Sequence, residues 1–141
     1  MLFLYNIITL LAAQLLKIVA LFSPKMKLFV DGRKSVFQTL DNKIQTSDKT
    51  IWFHAASLGE YEQGLPVIEA IKQQFPTHKI VVTFFSPSGY EVRKNNTVAD
   101  VTVYLPLDTA SNAKNFVDLA HPEMVFFIKY EYWPNYLNIL K

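Results

Sequence analysis

Residues 51–71 read IWFHAASLGEYEQGLPVIEAI, and this stretch predicts a strand, a tight turn and a helix in succession. Ile51–Ala55 is a short apolar run typical of a buried strand, while the apolar residues from Tyr61 onward recur at helical spacing. The turn carries Ser57 and Glu60, which places both residues where a strand ends and a helix begins. In open α/β sheets ligands bind at this edge. A carboxylate here is therefore either a helix cap or a catalytic group.

The alternation of strands and helices continues to the end of the chain. Apolar strands separated by helices predict a parallel sheet that is covered on both faces. The last strand would leave an apolar edge exposed, which suggests either a fifth strand or a chain that is half of a larger design. The predicted strands are Ile51–Ala55, Lys79–Phe84, Val101–Leu105 and Glu123–Ile128. The predicted helices are Tyr61–Gln74, Pro87–Asn95, Thr109–Leu119 and a last helix from about Tyr132. We expect Asp108 to cap the helix Thr109–Leu119.

The composition limits the classes of function. A chain of 141 residues, half of them apolar, is long enough for about one domain with a buried core. The net charge of +2 is too small to indicate a nucleic acid partner, and no basic run alternates with aromatic residues. The absence of cysteine excludes disulfides, cysteine-based zinc sites and thiol nucleophiles. The histidines lack metal-site spacing and there is no Asp-x-Asp pattern, so we expect neither a metal nor a cofactor.

The first 22 residues read MLFLYNIITLLAAQLLKIVALF and predict an apolar helix. Such a helix is roughly 33 Å long, about the thickness of the hydrocarbon core of a membrane. We expect a membrane anchor that spans the bilayer or lies in its interface, with a core helix or a signal peptide as the alternatives. The nearby basic residues lie at its end or beyond it, which by the positive-inside rule places the following domain on the cytoplasmic side; they are Lys17, Lys25, Lys27, Arg33 and Lys34.

These patterns divide the chain into three parts. Residues 1–22 form the predicted anchor helix, and residues 23–49 form a basic linker with a short helix near Ser35–Leu40. Residues 50–141 form a Rossmann-like domain in which strands and helices alternate.

The turn after the first strand allows two interpretations. Ser57 and Glu60 have the spacing of a capping box, in which Ser57 caps the helix and Glu60 bonds back to the N–H of Ser57. Alternatively, Glu60 points into the crevice as a general base, which requires that it lie within hydrogen-bond reach of the proton it removes. The spacing alone does not decide between these roles.

Two further turns lie at the same predicted edge. Ser86–Gly89 follows the second strand and suits a helix start, where Ser86 caps the helix and free N–H groups favour an anion. Lys129–Asn135 follows the fourth strand and brings Glu131 into the crevice as a second carboxylate. Trp133 in this turn would stack on a sugar or pack in the protein. His54, at the end of the first strand, fits a buried core histidine better than a catalyst.

At these motifs the sequence resembles the 3-deoxy-D-manno-octulosonic acid (Kdo) transferases of lipopolysaccharide synthesis. The matching blocks occur in the order and approximate spacing of that family, and together they are specific although none would be alone. They are WFHAASLGEYEQGLPVIEAI, VVTFFSPSGYEV, YLPLDT and FFIKYEYWPN. The resemblance covers nearly the whole chain but only the amino-terminal half of the family's architecture.

The resemblance implies a fold and a reaction. Members of that family have two facing Rossmann-like domains in the GT-B arrangement, of which the amino-terminal one holds a lipid A precursor and the carboxyl-terminal one holds CMP-Kdo. This chain would be the acceptor half of such an inverting glycosyltransferase, inactive without the donor domain, at the cytoplasmic face of the inner membrane. Glu60 would be the catalytic base, and Glu131 would position the acceptor or support the base. Weaker candidates for acceptor or phosphate contacts are Arg33, Ser57, Gly59, Ser86, Ser88, Gly89 and Lys129.

Two alternatives stay open beside this interpretation. The chain could be a non-enzymatic, membrane-anchored binding module with flavodoxin-like topology, although the four glycines and the lack of a G-x-G-x-x-G motif weaken that version. It could also be an inactive fragment.

Overall fold

The computed structural model describes residues 2–141 and contains seven helices and four strands in that range. In chain order they are α1 (Leu2–Val19), α2 (Pro24–Asp31), α3 (Val36–Lys43), β1 (Lys49–Ala55), α4 (Leu58–Gln74), β2 (His78–Phe84), α5 (Pro87–Arg93), β3 (Val101–Tyr104), α6 (Ala110–Ala120), β4 (Pro122–Phe127) and α7 (Pro134–Ile139).

The four strands form one parallel sheet in the order β3-β2-β1-β4. The predicted α/β class with a parallel sheet is confirmed, and each predicted strand is found with its ends shifted by one or two residues. The order is that of the first four strands of a Rossmann sheet, in which β1 lies between β2 and β4. A flavodoxin-like sheet would instead place β3 beside β1, so that alternative topology is wrong. Strand β4 lies at an edge of the sheet, and its apolar side chains are partly exposed.

Both faces of the sheet are covered, as the continuous apolar strands predict. On one face Trp52 packs with side chains of α3, α6 and α7, among them Leu40, Phe116 and Tyr136. On the other face Phe53 packs with Ile68 of α4. Successive residues of a strand point to opposite faces, so alternate residues of β1 contribute to the two halves of the core.

The segment between the first helix and the sheet is more ordered than predicted. The short helix expected near Ser35–Leu40 is α3, but α2 was not predicted. The hydroxyl of Ser23 accepts a hydrogen bond from the N–H of Met26 at 3.4 Å, and Pro24 occupies the first turn, a sequence pattern that starts a helix. Val36 and Leu40 of α3 are buried against the sheet.

Asp108 has a different role from the one predicted. The cap of α6 is Thr109, whose hydroxyl accepts from the N–H of Asn112 at 3.2 Å. Asp108 is buried, and its carboxylate accepts from the N–H groups of Asn135 and Tyr136 at 3.1 and 3.2 Å. These N–H groups lie in the first turn of α7, so Asp108 caps that helix across 27 residues of sequence rather than the next helix in the chain.

Helix α1 alone among the described residues is long and apolar enough to cross a membrane, a criterion that signal sequences and core helices also meet. None of its described residues is buried, which argues against the core-helix alternative. It is a candidate membrane anchor.

The covered core makes a first prediction about stability. Ile68 is fully buried while the preceding residue in α4, Val67, is half exposed. We expect Ile68→Ala to lower the free energy of unfolding by about 2–5 kcal/mol because it removes buried apolar contacts and leaves a cavity. Val67→Ala should change it by less than about 0.5 kcal/mol. Urea unfolding followed by circular dichroism measures both, and equal effects would contradict the assignment of the buried face of α4.

Candidate active site

The candidate site lies where the strand order reverses. From β1 the chain builds the sheet through β2 to β3 on one side, and then crosses to place β4 on the other side of β1. The crevice beyond the carboxyl ends of β1 and β4 is therefore the topological switch point, where open α/β sheets bind ligands. The structure places eight of the nine predicted site residues after the ends of strands: Ser57, Gly59 and Glu60 after β1, Ser86, Ser88 and Gly89 after β2, and Lys129 and Glu131 after β4.

Glu60 is held by the backbone of its own turn. Its Oε2 accepts a hydrogen bond from the N–H of Ala56 at 2.6 Å, and its side chain is only partly buried. Ser57 is the N-cap by position, but its side chain makes no capping bond. The predicted capping box is therefore wrong in detail, because Glu60 reaches one residue further back than Ser57. This bond occupies one carboxylate oxygen, and within residues 2–141 the other makes no hydrogen bond.

A bond between turns keeps the ends of β1 and β2 together. The N–H of Ser86 donates to the carbonyl of Ala56 at 2.8 Å, so the two helix starts are adjacent. Ser86 does not cap α5 with its side chain, contrary to the prediction, and its hydroxyl instead contacts that of Ser88 at 2.6 Å. The hydroxyl pair and the two helix starts thus bring polar groups together at this edge of the sheet.

Gly89 and Gly59 differ in their surroundings. A Cβ at Gly89 would lie 2.3 Å from a ring carbon of Phe84 and 3.1 Å from the backbone nitrogen of Leu58. Gly89 therefore allows α5 to approach β2 and the start of α4 closely. A Cβ at Gly59 would meet nothing within 4 Å. Gly59 is exposed, and it borders open space beside Glu60.

Glu131 is paired with a buried histidine. Its Oε2 lies 3.6 Å from Nε2 of His54, whose side chain is fully buried, while about a fifth of the Glu131 side chain is exposed. The imidazole of His54 holds the pKa of Glu131 below its ordinary value, and this effect outweighs the opposing effect of burial. Glu131 is therefore a carboxylate at neutral pH. The pairing joins the end of β1 to the loop after β4.

Thr83 fixes the orientation of the histidine ring. Its hydroxyl accepts from Nε1–H of Trp52 at 2.8 Å and lies 2.8 Å from Nδ1 of His54, but 3.5 Å from the carbonyl of Phe53. The shorter contact favours donation of the hydroxyl proton to Nδ1. The ring proton is then on Nε2, which faces Glu131. His54 is thus buried as the sequence indicated, but Nε2 has no hydrogen-bond partner among the described residues.

The loop after β4 carries both packed and exposed aromatic side chains. Trp133 packs on Phe85 with ring centroids 4.7 Å apart, and its buried Nε1–H has no partner within residues 2–141. Buried polar atoms without partners are uncommon in folded proteins, so Nε1 of Trp133 and Nε2 of His54 are candidates for ligand contacts. Tyr130 and Tyr132 flank Glu131 and are largely exposed. Lys129 is exposed and has a φ of 65°, in the left-handed region that non-glycine residues seldom adopt.

Comparison with known proteins identifies the family. The family model described as 3-deoxy-D-manno-octulosonic-acid transferase (kdotransferase) matches residues 31–141. The chain belongs to this family. The matched range includes all nine predicted site residues, from Arg33 to Glu131.

Curated relatives agree with this assignment. The 3-deoxy-D-manno-octulosonic acid transferase of Aquifex aeolicus is 33% identical over 92 residues, which are 64% of this chain and 25% of that protein. The enzyme of the same name from Haemophilus influenzae is 34% identical over 92 residues, which are 64% of this chain and 21% of that protein. That of Chlamydia trachomatis serovar D is 29% identical over 112 residues, which are 78% of this chain and 26% of that protein. The chain thus spans about a quarter of the length of these kdotransferases.

Arg33 lies in the turn after α2, and its side chain reaches the ends of β2 and β3. Its guanidinium donates to three backbone carbonyls, those of Phe29, Phe85 and Leu105, at 2.7, 2.7 and 2.8 Å. It also stacks on the ring of Phe29 at 3.6 Å. Burial lowers the pKa of Arg33 to about 9, so the group stays charged at neutral pH. These contacts tie the turn after α2 to the loops after β2 and β3, and a ligand contact of Arg33 stays a prediction.

The sequence does not predict the contacts of His54, Thr83 and Trp133 at the site. It favours packing for His54 and Trp133, and it gives no indication of a role for Thr83. One sequence feature does indicate a role for His54: it is a histidine in an otherwise apolar strand, and that strand ends at the edge where such sheets bind ligands. Within residues 2–141 no three His, Asp or Glu side chains lie close enough to hold a metal ion. That the protein needs neither a metal nor a cofactor stays a prediction.

The pairing of His54 with Glu131 predicts a measurable pKa change. His54→Leu removes the ring that lowers the pKa of Glu131, so we expect that pKa to rise. Since the folded-state pKa of Glu131 is depressed, the pair stabilises the fold above the unfolded pKa, and this contribution is lost as the pH falls through the folded pKa. Carbon-13 NMR titration of the glutamate carboxyls measures the shift, with Glu131→Gln for assignment.

Glu123 provides the control for this titration. Its pKa is also lowered by a histidine, His78, at 2.8 Å, but at the opposite ends of the strands. The pKa of Glu123 should be the same with and without His54. An unchanged pKa of Glu131 in His54→Leu would contradict the pairing.

The two glycines of the site predict opposite effects on stability. Gly89→Ala should lower the free energy of unfolding by about 1–3 kcal/mol, because the new methyl group overlaps the buried ring of Phe84. Gly59→Ala should leave it unchanged or raise it by up to about 1 kcal/mol, since space is open and alanine favours a helix. Thermal unfolding compares the two variants. Equal stability of Gly89→Ala and the parent would contradict the packing role of Gly89.

Proposed function

We propose that this chain is the acceptor-binding half of an inverting Kdo transferase of the GT-B type, and that Glu60 is its catalytic base. The donor is CMP-Kdo, held by a second domain outside this chain, and the acceptor is a lipid A precursor. The observation that carries the proposal is the geometry of Glu60 at the switch point. One of its oxygens is fixed by the N–H of Ala56 and the other makes no bond with described residues.

This geometry suits a general base. A base must be positioned before the substrate arrives, and the short bond to the backbone provides the position without using the second oxygen. That oxygen accepts the proton of an acceptor hydroxyl, and the hydroxyl oxygen attacks the anomeric carbon of Kdo from the face opposite CMP. The bond between this carbon and the CMP phosphate breaks, and CMP leaves with the electron pair. The configuration at the anomeric carbon is inverted.

The second carboxylate is suited to binding rather than proton transfer. Glu131 is paired with His54 and has a depressed pKa, so it stays ionised and accepts hydrogen bonds from hydroxyls of the acceptor sugar. The neighbouring exposed rings of Tyr130 and Tyr132 offer faces on which a sugar can stack. The weaker candidates for acceptor or phosphate contacts remain Arg33, Ser57, Gly59, Ser86, Ser88, Gly89 and Lys129.

The apolar helix has a purpose in this proposal. The acceptor is a lipid, and attachment of the domain to the same membrane raises the effective concentration of the acceptor at the site without any new contact. We expect the domain at the cytoplasmic face of the inner membrane, where the basic residues that follow α1 meet anionic headgroups. In this view residues 1–22 are the anchor, residues 23–49 the basic connection and residues 50–141 the acceptor domain.

Replacement of Glu60 tests the proposal. In an enzyme that contains this chain and a donor domain, Glu60→Ala and Glu60→Gln should each lower the rate of Kdo transfer by about 10²–10⁴-fold because the base is lost. The matched control is Glu69→Ala, an exposed glutamate of the same helix, which should keep the parental rate. Binding to vesicles that contain the lipid A precursor should persist in all three variants. Near-normal transfer by Glu60→Ala would show that another group is the base.

A further inference from the structure

Helix α1 presents one continuous apolar face to solvent. Its exposed large residues recur every three or four positions, which on a helix forms a stripe along one side. The stripe continues into the turn after the helix. Its members, called here the outer stripe, are Leu4, Ile8, Leu11, Leu15, Ile18 and Phe22, and they are about 55–85% exposed.

The polar side of α1 is bonded to the α/β domain near the start of the helix. The hydroxyl of Tyr5 donates to Oδ2 of Asp108 at 2.8 Å. The side-chain amide of Asn135 donates to Oδ1 of Asn6 at 2.8 Å. Asp108 and Asn135 are buried, and Asp108 also caps α7. The amino-terminal part of α1 therefore lies against the domain through polar contacts that join it to the core.

The second half of α1 lies against the same domain. This half, α2, α3 and the loop after β3 together line a cavity of about 430 Å³. Leu16, Phe29 and Leu107 are among the side chains that line the cavity. Helix α1 also packs on α2. Both halves of α1 are thus in contact with one folded unit.

This arrangement is incompatible with a helix that crosses the bilayer. Eighteen residues of helix extend over roughly 27 Å, nearly the thickness of the hydrocarbon core, so a crossing helix needs its two ends at opposite faces. The bonds of Tyr5 and Asn6 near the start of α1 would then draw Asp108 and Asn135 of the domain into hydrocarbon. An ionisable side chain and irregular loops are costly there.

Lysines are gathered at one end of the helix. A second cavity, of about 500 Å³, lies between the end of α1 and α2 and is lined by Lys17, Lys27 and Lys34 together with Asp31. It shares Lys17, Val30 and Lys34 with the first cavity, so the two form one groove with an apolar and a basic end. Asp31 pairs with Lys34 at 2.6 Å and leaves two lysines without a carboxylate partner in the described chain. The basic end complements the phosphates of anionic lipids.

We propose that α1 lies in the plane of an anionic membrane surface and does not cross the bilayer. The outer stripe is embedded among the acyl chains of one leaflet, and the basic end of the groove faces the lipid phosphates. The geometry of an in-plane amphipathic helix meets both conditions, because its apolar side enters the leaflet while its polar side remains with the protein. The proposal stands on the contacts of α1 and is independent of the transfer reaction.

Spin labels along the outer stripe measure the orientation directly. The parent chain has no cysteine, so Leu4→Cys, Leu11→Cys and Ile18→Cys each give one labelled site. The full 141-residue chain is bound to vesicles of phosphatidylethanolamine and phosphatidylglycerol, and the depth of each label is measured from its collisions with oxygen and with a water-soluble nickel complex. An in-plane helix puts the three labels at similar shallow depth. A crossing helix puts Leu11 deep and the other two near opposite surfaces, which would overturn the proposal.

A control label and the nickel accessibility of the labels on the outer stripe complete this experiment. A label at Lys114→Cys, on an exposed position of α6, should stay in water. Labels of the stripe that remain accessible to nickel would also overturn the proposal, since the stripe would not be in the membrane. Spin–spin broadening that grows with protein concentration would then identify a second copy of the chain as the partner of the stripe.

The role of the lysines is tested by a charge-matched pair of variants. Replacing Lys17, Lys27 and Lys34 by Gln should weaken binding to phosphatidylglycerol vesicles by roughly fivefold for each lysine. The control replaces Lys43, Lys49 and Lys114 by Gln, which changes the net charge equally but lies outside the groove. Equal losses in the two variants would show that net charge alone acts and would overturn the assignment of the groove.

Discussion

The position of β1 at the centre of the sheet is the constraint on which the other features depend. It pairs in parallel with β2 on one side and β4 on the other, and nearly all of its residues are buried. Because the chain must leave β1 in one direction and return to its other side, the loops after β1 and β4 diverge and leave a crevice. Glu60 follows β1 and Glu131 follows β4, so both lie at this edge of the sheet. A change in strand order would separate the two carboxylates.

The two carboxylates are supported in different ways, and this difference suits different tasks. Glu60 is held by a backbone N–H in its own turn, so its position follows from the local geometry of the turn. Glu131 depends on His54, which is oriented by Thr83 on a neighbouring strand. The first arrangement leaves one carboxylate oxygen without a bond to the described residues. The second arrangement keeps a charged carboxylate beside a buried histidine.

Asp108 connects the region of the candidate site with helix α1. One buried carboxylate accepts hydrogen bonds from two N–H groups at the start of α7 and from the hydroxyl of Tyr5 in α1. Charge-assisted bonds of this kind are stronger than neutral ones, and a buried carboxylate that lost them would be costly. Helix α7 follows the loop that carries Glu131. Helix α1 and the helix that follows the Glu131 loop are therefore joined through one buried side chain.

The sequence by itself determined the parallel α/β sheet, its four strands, the apolar first helix and the edge at which Glu60 and Glu131 lie. Those features follow from the local periodicity of apolar residues and from the residues that end strands and start helices. The strand order, the cap that Asp108 provides to α7, and the pairing of His54 with Glu131 depend on the tertiary structure. The sequence does not predict helix α2, because its eight residues show no clear apolar stripe. Local patterns report burial and periodicity, whereas contacts between distant loops depend on which strands become neighbours, and only the packed sheet fixes that choice.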